Sequence, residues 1–161
     1  MWWSRRALVL AALSLTGCGF APVYGPGGSG GRLTGRVRTA DPRTPDDFAF
    51  AGRIAERLGP EEQARLRLDW RLSIAVVAQA ITPEEVTTRY SLNGSADFLL
   101  TEIGSDRVVT RGRVSSFTSY STTGTTIATM AAEQDAHERL ARMLADQVVT
   151  RLLALDPARL P

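Results

Sequence analysis

Arg65-Leu66-Arg67-Leu68-Asp69-Trp70-Arg71-Leu72-Ser73-Ile74-Ala75-Val76 alternates apolar and polar residues without a break. Leu66, Leu68, Trp70, Leu72, Ile74 and Val76 fall on one side; Arg65, Arg67, Asp69, Arg71 and Ser73 fall on the other. A strand turns successive side chains to opposite faces, so this period of two means a sheet with one dry side and one wet side. Thr82-Pro83-Glu84-Glu85 breaks the pattern. Thr87 to Glu102 resumes it through Tyr90, Leu92, Ala96, Phe98 and Leu100. Asn93-Gly94 is a hairpin dipeptide, but the alternation keeps its phase across it, so one continuous strand with a bulge at Gly94 is expected. Gly104-Ser105-Asp106 reads as a turn, and Arg107 to about Thr122, rich in Val, Thr, Ser and Tyr, as a third long strand.

Two helices flank these strands. Thr44 is a suitable N-cap, Pro45 sits at the first helical position, and Asp46 and Asp47 place negative charge in the first turn. Phe48, Ala51, Ile54, Ala55 and Leu58 then share one side, and Gly59-Pro60 ends the helix. From Thr126 to Leu155 a longer amphipathic helix carries Met130, His137, Leu140, Ala141, Leu144, Val148, Leu152 and Leu155 on one stripe, with Asp135, Arg139, Arg142 and Asp146 roughly opposite. Pro157 stops it. Arg32 to Thr39 alternates weakly around Leu33, Gly35 and Val37 and reads as a first strand. The expectation is an α+β two-layer sandwich in the order β-α-β-β-β-α, with about four mainly antiparallel strands and two helices on one face.

The start of the chain has its own grammar. Met1 to Arg6 carries two arginines and no acid, and Ala7 to Leu15 is a short apolar run. That run is too short for a spanning helix but suits the apolar region of a secretory signal. Leu15-Thr16-Gly17-Cys18 then supplies a branched apolar residue, two small residues and the chain's only cysteine. That is the order of a bacterial lipobox, whose thiol takes a diacylglycerol and whose freed amine takes an acyl chain. The expected divisions are a signal over 1–17, a lipidated N-terminus and flexible Gly-rich tether over 18–31, and a single α+β domain over 32–161. No thiol is then left for a disulfide, so stability must come from packing.

Charge narrows the partners. The signal holds two of the 19 basic residues, leaving 17 arginines against 17 acids in the mature chain. A near-neutral domain lacks the basic footprint of a nucleic-acid binder. Every basic side chain is arginine, the residue suited to bidentate phosphate or carboxylate contacts and also the residue of GC-rich codons. Catalytic and metal readings find little to stand on. His137 is the only histidine, and without free Cys or further His the usual zinc and copper sets cannot be built. No Gly-x-Ser-x-Gly elbow occurs. Glu84-Glu85 and Asp46-Asp47 are adjacent and do not converge. Gly27 to Gly31 follows no strand and has no phosphate-loop lysine. No catalytic residue, metal site or cofactor is expected beyond the acyl groups on Cys18.

Cys18-Gly19-Phe20-Ala21-Pro22-Val23-Tyr24-Gly25 resembles the segment after the lipobox in the lipopolysaccharide-assembly lipoprotein family LptE, which reads Cys-Gly-Phe-x-Pro-Leu-Tyr-Gly; Val23 replaces the leucine. The last helix, through Gln134-Asp135-Ala136, Leu140-Ala141 and Gln147-Val148-Val149-Thr150-Arg151-Leu152, is also similar, as is the element order. The resemblance implies a non-enzymatic subunit of the outer-membrane lipopolysaccharide translocon. In that family the lipoprotein plugs and helps assemble the LptD β-barrel and can bind lipopolysaccharide. Gly19 is not the aspartate of inner-membrane retention, so a lipid-anchored outer-membrane protein is expected, its domain on the periplasmic side or in a barrel lumen. Lipopolysaccharide contacts in the family are basic, and strand placement points to Arg89, Arg107, Arg111 and Arg113 for lipopolysaccharide or partner contact. Two alternatives remain at this point: an auxiliary lipoprotein of an intermembrane lipid-transport ABC system, and a surface-anchored enzyme built around His137.

Overall fold

The computed structural model describes residues 22–81 and 87–161. The expected signal over 1–17, Cys18 and the break at Thr82-Pro83-Glu84-Glu85 lie outside the described residues. The elements are α1 (Ser29–Leu33), β1 (Val37–Thr39), α2 (Pro45–Leu58), β2 (Leu66–Ile81), β3 (Thr87–Glu102), β4 (Val108–Ser121), α3 (Thr126–Leu153) and a 3-10 turn at Pro157–Arg159. One sheet orders the strands β1-β2-β3-β4. β2 with β3 and β3 with β4 are antiparallel. β1 joins β2 in parallel at Leu66–Leu68, because the chain between them makes a helical crossover through α2. The α+β layout follows the alternation, with a mixed sheet and one extra short helix. Among the described residues no helix is long and apolar enough to cross a membrane.

α3 lies across β3 and β4, and α2 lies beside α3. Ala136, Leu140, Ala141, Leu144, Ala145, Val148, Val149 and Leu152 of α3 are buried against Leu92, Ala96, Phe98, Leu100 and Val114 of the sheet. Gly94 explains the tight fit. A Cβ there would sit 2.9 Å from Leu140 Cδ2 and 3.2 Å from Leu144 Cδ1. The glycine gives the helix room, and β3 runs through it in regular register. The bulge expected at Gly94 is absent; irregularities occur instead between Ala78 and Ala80 and between Leu100 and Thr101.

α2 begins with a reciprocal cap. Thr44 Oγ1 accepts from Asp47 N–H at 3.1 Å, and Asp47 Oδ2 accepts from Thr44 N–H at 3.1 Å. Its buried face is Phe50, Ile54 and Leu58, not the stripe through Phe48 and Ala55. Phe48 is 64% exposed, whereas Phe50 is fully buried and packs its ring 5.2 Å from that of Trp70. Two ion pairs and a hydrogen bond join α2 to α3: Arg53 Nε pairs with Asp146 at 3.0 Å, Arg57 Nη1 with the same carboxylate at 2.5 Å, and His137 Nδ1 lies 3.1 Å from an Asp46 oxygen. Met130, expected on the buried stripe of α3, is exposed, because α3 projects a full two turns before its first buried residue, Ala136.

The N-terminal segment departs most from expectation. Arg32 to Thr39 is not one strand: Leu33 ends α1, Gly35 turns at φ +70°, and only Val37–Thr39 pairs. The Gly-rich stretch expected as a loose tether is packed from Ser29 onward. Ser29 and Gly30 are buried, the Ser29 hydroxyl donates to the Leu153 carbonyl at the end of α3, and Arg32 Nη1 donates to the Leu160 carbonyl at 3.1 Å. Two of its glycines serve close approach. A Cβ on Gly28 would meet Val23 O at 2.2 Å, and one on Gly30 would meet the Tyr24 ring at 2.6 Å.

Two substitutions test these contacts. Gly94→Val should cost about 1–3 kcal/mol by overpacking, and adding Leu140→Ala should cost less than the sum of the two single changes because the sites touch; urea melts measure both. Gly31 has open space where Gly30 has the Tyr24 ring. Gly30→Ala should therefore open residues 22–33 to limited proteolysis while Gly31→Ala leaves the cleavage pattern unchanged.

Candidate functional site

Both helices pack on one side of the sheet, so its other side is free of them. β2 offers Arg67, Asp69, Arg71, Ser73, Ala75 and Val77 to this open face. Register places the residues of β3 and β4 beside them in rows. Arg71, Asp97 and Arg113 form one row, and Asp69, Leu99 and Arg111 the next. Arg113 grips Asp97 with two bonds, Nε to Oδ1 at 2.7 Å and Nη2 to Oδ2 at 2.6 Å. That bond, joined by the charges of Arg113 and Arg71, holds the Asp97 carboxyl below its ordinary range. Arg67 pairs with Asp69 at 2.9 Å. A shallow hollow of about 580 Å³ opens here, with Leu99 at its floor and Asp69, Arg71, Asp97 and Arg111 around it.

Beyond this charged half the same face changes character. Ser73, Ala75 and Val77 of β2, Ser91, Asn93 and Ser95 of β3, and Ser115, Phe117 and Ser119 of β4 carry no charge. Phe117 stands out from this hydroxyl-rich field, exposed. From Val114 to Ala132 the chain has no ionisable acid or base other than Tyr120, whose hydroxyl is pushed up by burial and by nearby Glu133.

The four arginines singled out from strand placement do not converge. Arg111 and Arg113 lie side by side on the open face, as period two requires. Arg107 sits in the β3–β4 turn, where Nε donates to Glu102 at 3.0 Å and Nη2 to the Arg159 carbonyl at 3.4 Å, so it clamps the hairpin to the chain's end. Arg89 pairs in register with Ser121 at the opposite end of the sheet, eight residues or about 26 Å from Asp97 along β3. Arg67 and Arg71 complete the cluster instead. The alternation of residues 65–76 already put them on the wet side; what it could not supply was the β2–β3–β4 register. Cys18 lies outside the described residues. His137 is half-buried, facing Asp46, and ties α3 to the start of α2. Among the described residues no group of three or more His, Cys, Asp or Glu could hold a metal ion.

This architecture, a four-stranded sheet backed by a long helix and a shorter one, recurs in small bacterial lipoproteins. A lipoprotein from Caulobacter crescentus CB15 has a TM-score of 0.62 at 21% identity, covering 78% of this chain and 92% of its own. The rare lipoprotein B of Shewanella oneidensis has 0.54 at 12% identity, covering 73% and 91%, and a minor lipoprotein of Acinetobacter baumannii has 0.51 at 14%, covering 78% and 92%. At these identities the likeness is one of fold. No curated protein matches the sequence. Residues 31–152 match the family LptE, Lipopolysaccharide-assembly, and the chain belongs to that family.

The Asp97 pair gives the face a charge that can be tuned. Because its folded-state carboxyl is lowered, the pair's contribution is present at neutral pH and is lost as pH falls through the carboxylate range. Asp97→Asn leaves Arg71 and Arg113 without their shared acid. It should strengthen retention on an anionic phosphate resin, with a steeper salt dependence, and leave the melting temperature nearly unchanged. Arg111→Gln with Arg113→Gln should do the reverse.

Proposed function

We propose that this lipopolysaccharide-assembly protein works as a lipid-anchored plug and assembly partner of an LptD-type β-barrel in the outer membrane. The observation that carries the reading is the family match over residues 31–152. The lipobox ending at Cys18 supports the anchor. A single acyl chain holds a protein reversibly, whereas several hold it at the bilayer. The open sheet face supports the plug: it is mainly polar, one half charged and the other rich in hydroxyls, and the interior of a large outer-membrane barrel is polar and wet. Side chains that already satisfy one another, such as Arg113 with Asp97 and Arg67 with Asp69, lose less on meeting such a wall than unpaired charges would.

Direct lipopolysaccharide contact is assigned to the charged half of that face. Among the described residues Arg71 and Arg111 make no ion pair there, which leaves them to meet phosphate, a role guanidinium fills with paired donors. The protein's own contribution is then one of holding and orienting an amphiphile, with Leu99 offering an apolar floor between the two arginines.

Pulldown from detergent-solubilised outer membranes, followed by mass spectrometry, tests the partnership: one large barrel protein should come down in near-equal amount. Depletion should make lipopolysaccharide accumulate in the inner membrane, and Cys18→Ala should leave a folded domain released from the membrane fraction. Normal lipopolysaccharide at the cell surface after depletion would overturn the reading.

A further inference from the structure

β2 is much longer than its partner on one side. β1 pairs with Leu66, Arg67 and Leu68 only, and the last bond on that side runs from Ala40 N–H to the Leu68 carbonyl. The backbone groups of Leu66 and Leu68 face β1, so by alternation those of Trp70, Leu72, Ile74 and Val76 face the same way. Among the described residues no strand, turn or loop bonds to them. A run of about 20 Å of unpaired N–H and C=O groups is left open.

Proteins blunt such edges with charge, proline, a bulge or a cover. From Leu72 to Ile81 there is no charge and no proline, and the first irregularity comes only at Ala78. Val76 and Val77 are 48% and 43% exposed. Beside this edge a groove of about 1010 Å³ opens between the strand and the start of α2, where Trp70, Leu72 and Ile74 lie beside Asp46, Asp47 and His137; its lining continues past β1 and takes in Arg71 of the open face.

We infer that the outer edge of β2, from Trp70 to Val76, takes up an extended segment of the barrel partner as a fifth strand of the sheet. The inference rests on the plug reading above and adds where the partner's chain is held. Main-chain bonds to Trp70, Leu72, Ile74 and Val76 supply the hold, and apolar residues at alternate positions of the segment enter the groove. On the open face Arg71 makes no ion pair among the described residues, while its neighbours Arg67 and Asp69 are spent on each other. An acidic residue opposite Arg71 completes the match. A second copy of this chain fits less well. Antiparallel self-pairing about Ile74 sets Arg71 against Val77, and the register that would bring a copy's Asp69 to Arg71 needs the edge at Leu68, already taken by Ala40.

The test places a photoreactive amino acid at Ala75 in the full-length, membrane-anchored protein, with a second probe at Phe117 on the far strand as reference. The Ala75 probe should crosslink the barrel protein, at a segment with apolar residues at alternate positions and an acid near the site facing Arg71. Ile74→Pro removes one outward N–H that makes no bond within the sheet, so the fold should tolerate it; it should cut the Ala75 crosslink at least tenfold, whereas Ile74→Ala should keep it. Arg71→Glu, which alters no backbone bond, should weaken the same crosslink. Crosslinking of Ala75 to a second copy, or to nothing while the barrel still copurifies and Phe117 still crosslinks, would overturn the inference and leave the plug reading intact. Absence of any barrel in the wild-type pulldown would bring down both.

Discussion

Contact between α3 and the middle of β3, at the one place where the strand has no side chain, organises the molecule. Leu140 and Leu144 come down over Gly94, close enough that a methyl group would collide. That approach sets how deeply the long helix sits and so which of its residues are buried. Leu92, Ala96, Phe98 and Leu100 lie on either side along the same strand and fill the space the helix spans. α2 joins the same core through Phe50, Ile54 and Leu58, and Arg53, Arg57 and His137 each meet an acid across the helix–helix boundary.

One consequence is uneven cover. α3 serves β3 and β4, while α2 reaches β2 only as far as Trp70, where Phe50 meets the indole ring and Asp47 Oδ1 accepts from Trp70 Nε1 at 3.4 Å. Beyond that point β2 keeps the alternation of a buried strand without the layer that would bury it. Leu72 and Ile74 are half-covered, and residues 75–79 are exposed. The described residues leave this apolar side uncovered, at the same place where they leave the edge unpaired.

Much of this was legible in the residues. Strict alternation located β2, β3 and β4 because it encodes only two faces and needs no knowledge of distant partners. Cap chemistry at Thr44 and Pro45 set the start of α2 to the residue. What failed were choices that depend on distant chain. Phe48 and Phe50 are both plausible members of an apolar stripe; Trp70, twenty residues away, decides for Phe50. Gly28 and Gly30 look like linker by composition, yet they are small because Val23 and Tyr24 lie against them. Met130 obeys helical spacing but has no sheet beneath it. Among the arginines, parity put Arg111 and Arg113 on the open face correctly, whereas Arg107 lies past the strand's end, where parity says nothing. Arg89 has the right parity and the wrong address, since position along a strand is invisible to alternation.

The packed N-terminal segment has a further bearing on reach. Chain from Pro22 onward folds back on the end of α3 and on Leu160, near the β3–β4 turn that Arg107 clamps to Arg159. The opposite tip, carried on strands of sixteen residues or about 53 Å, therefore has its distance from this braced end set by rigid sheet rather than by a loose cord.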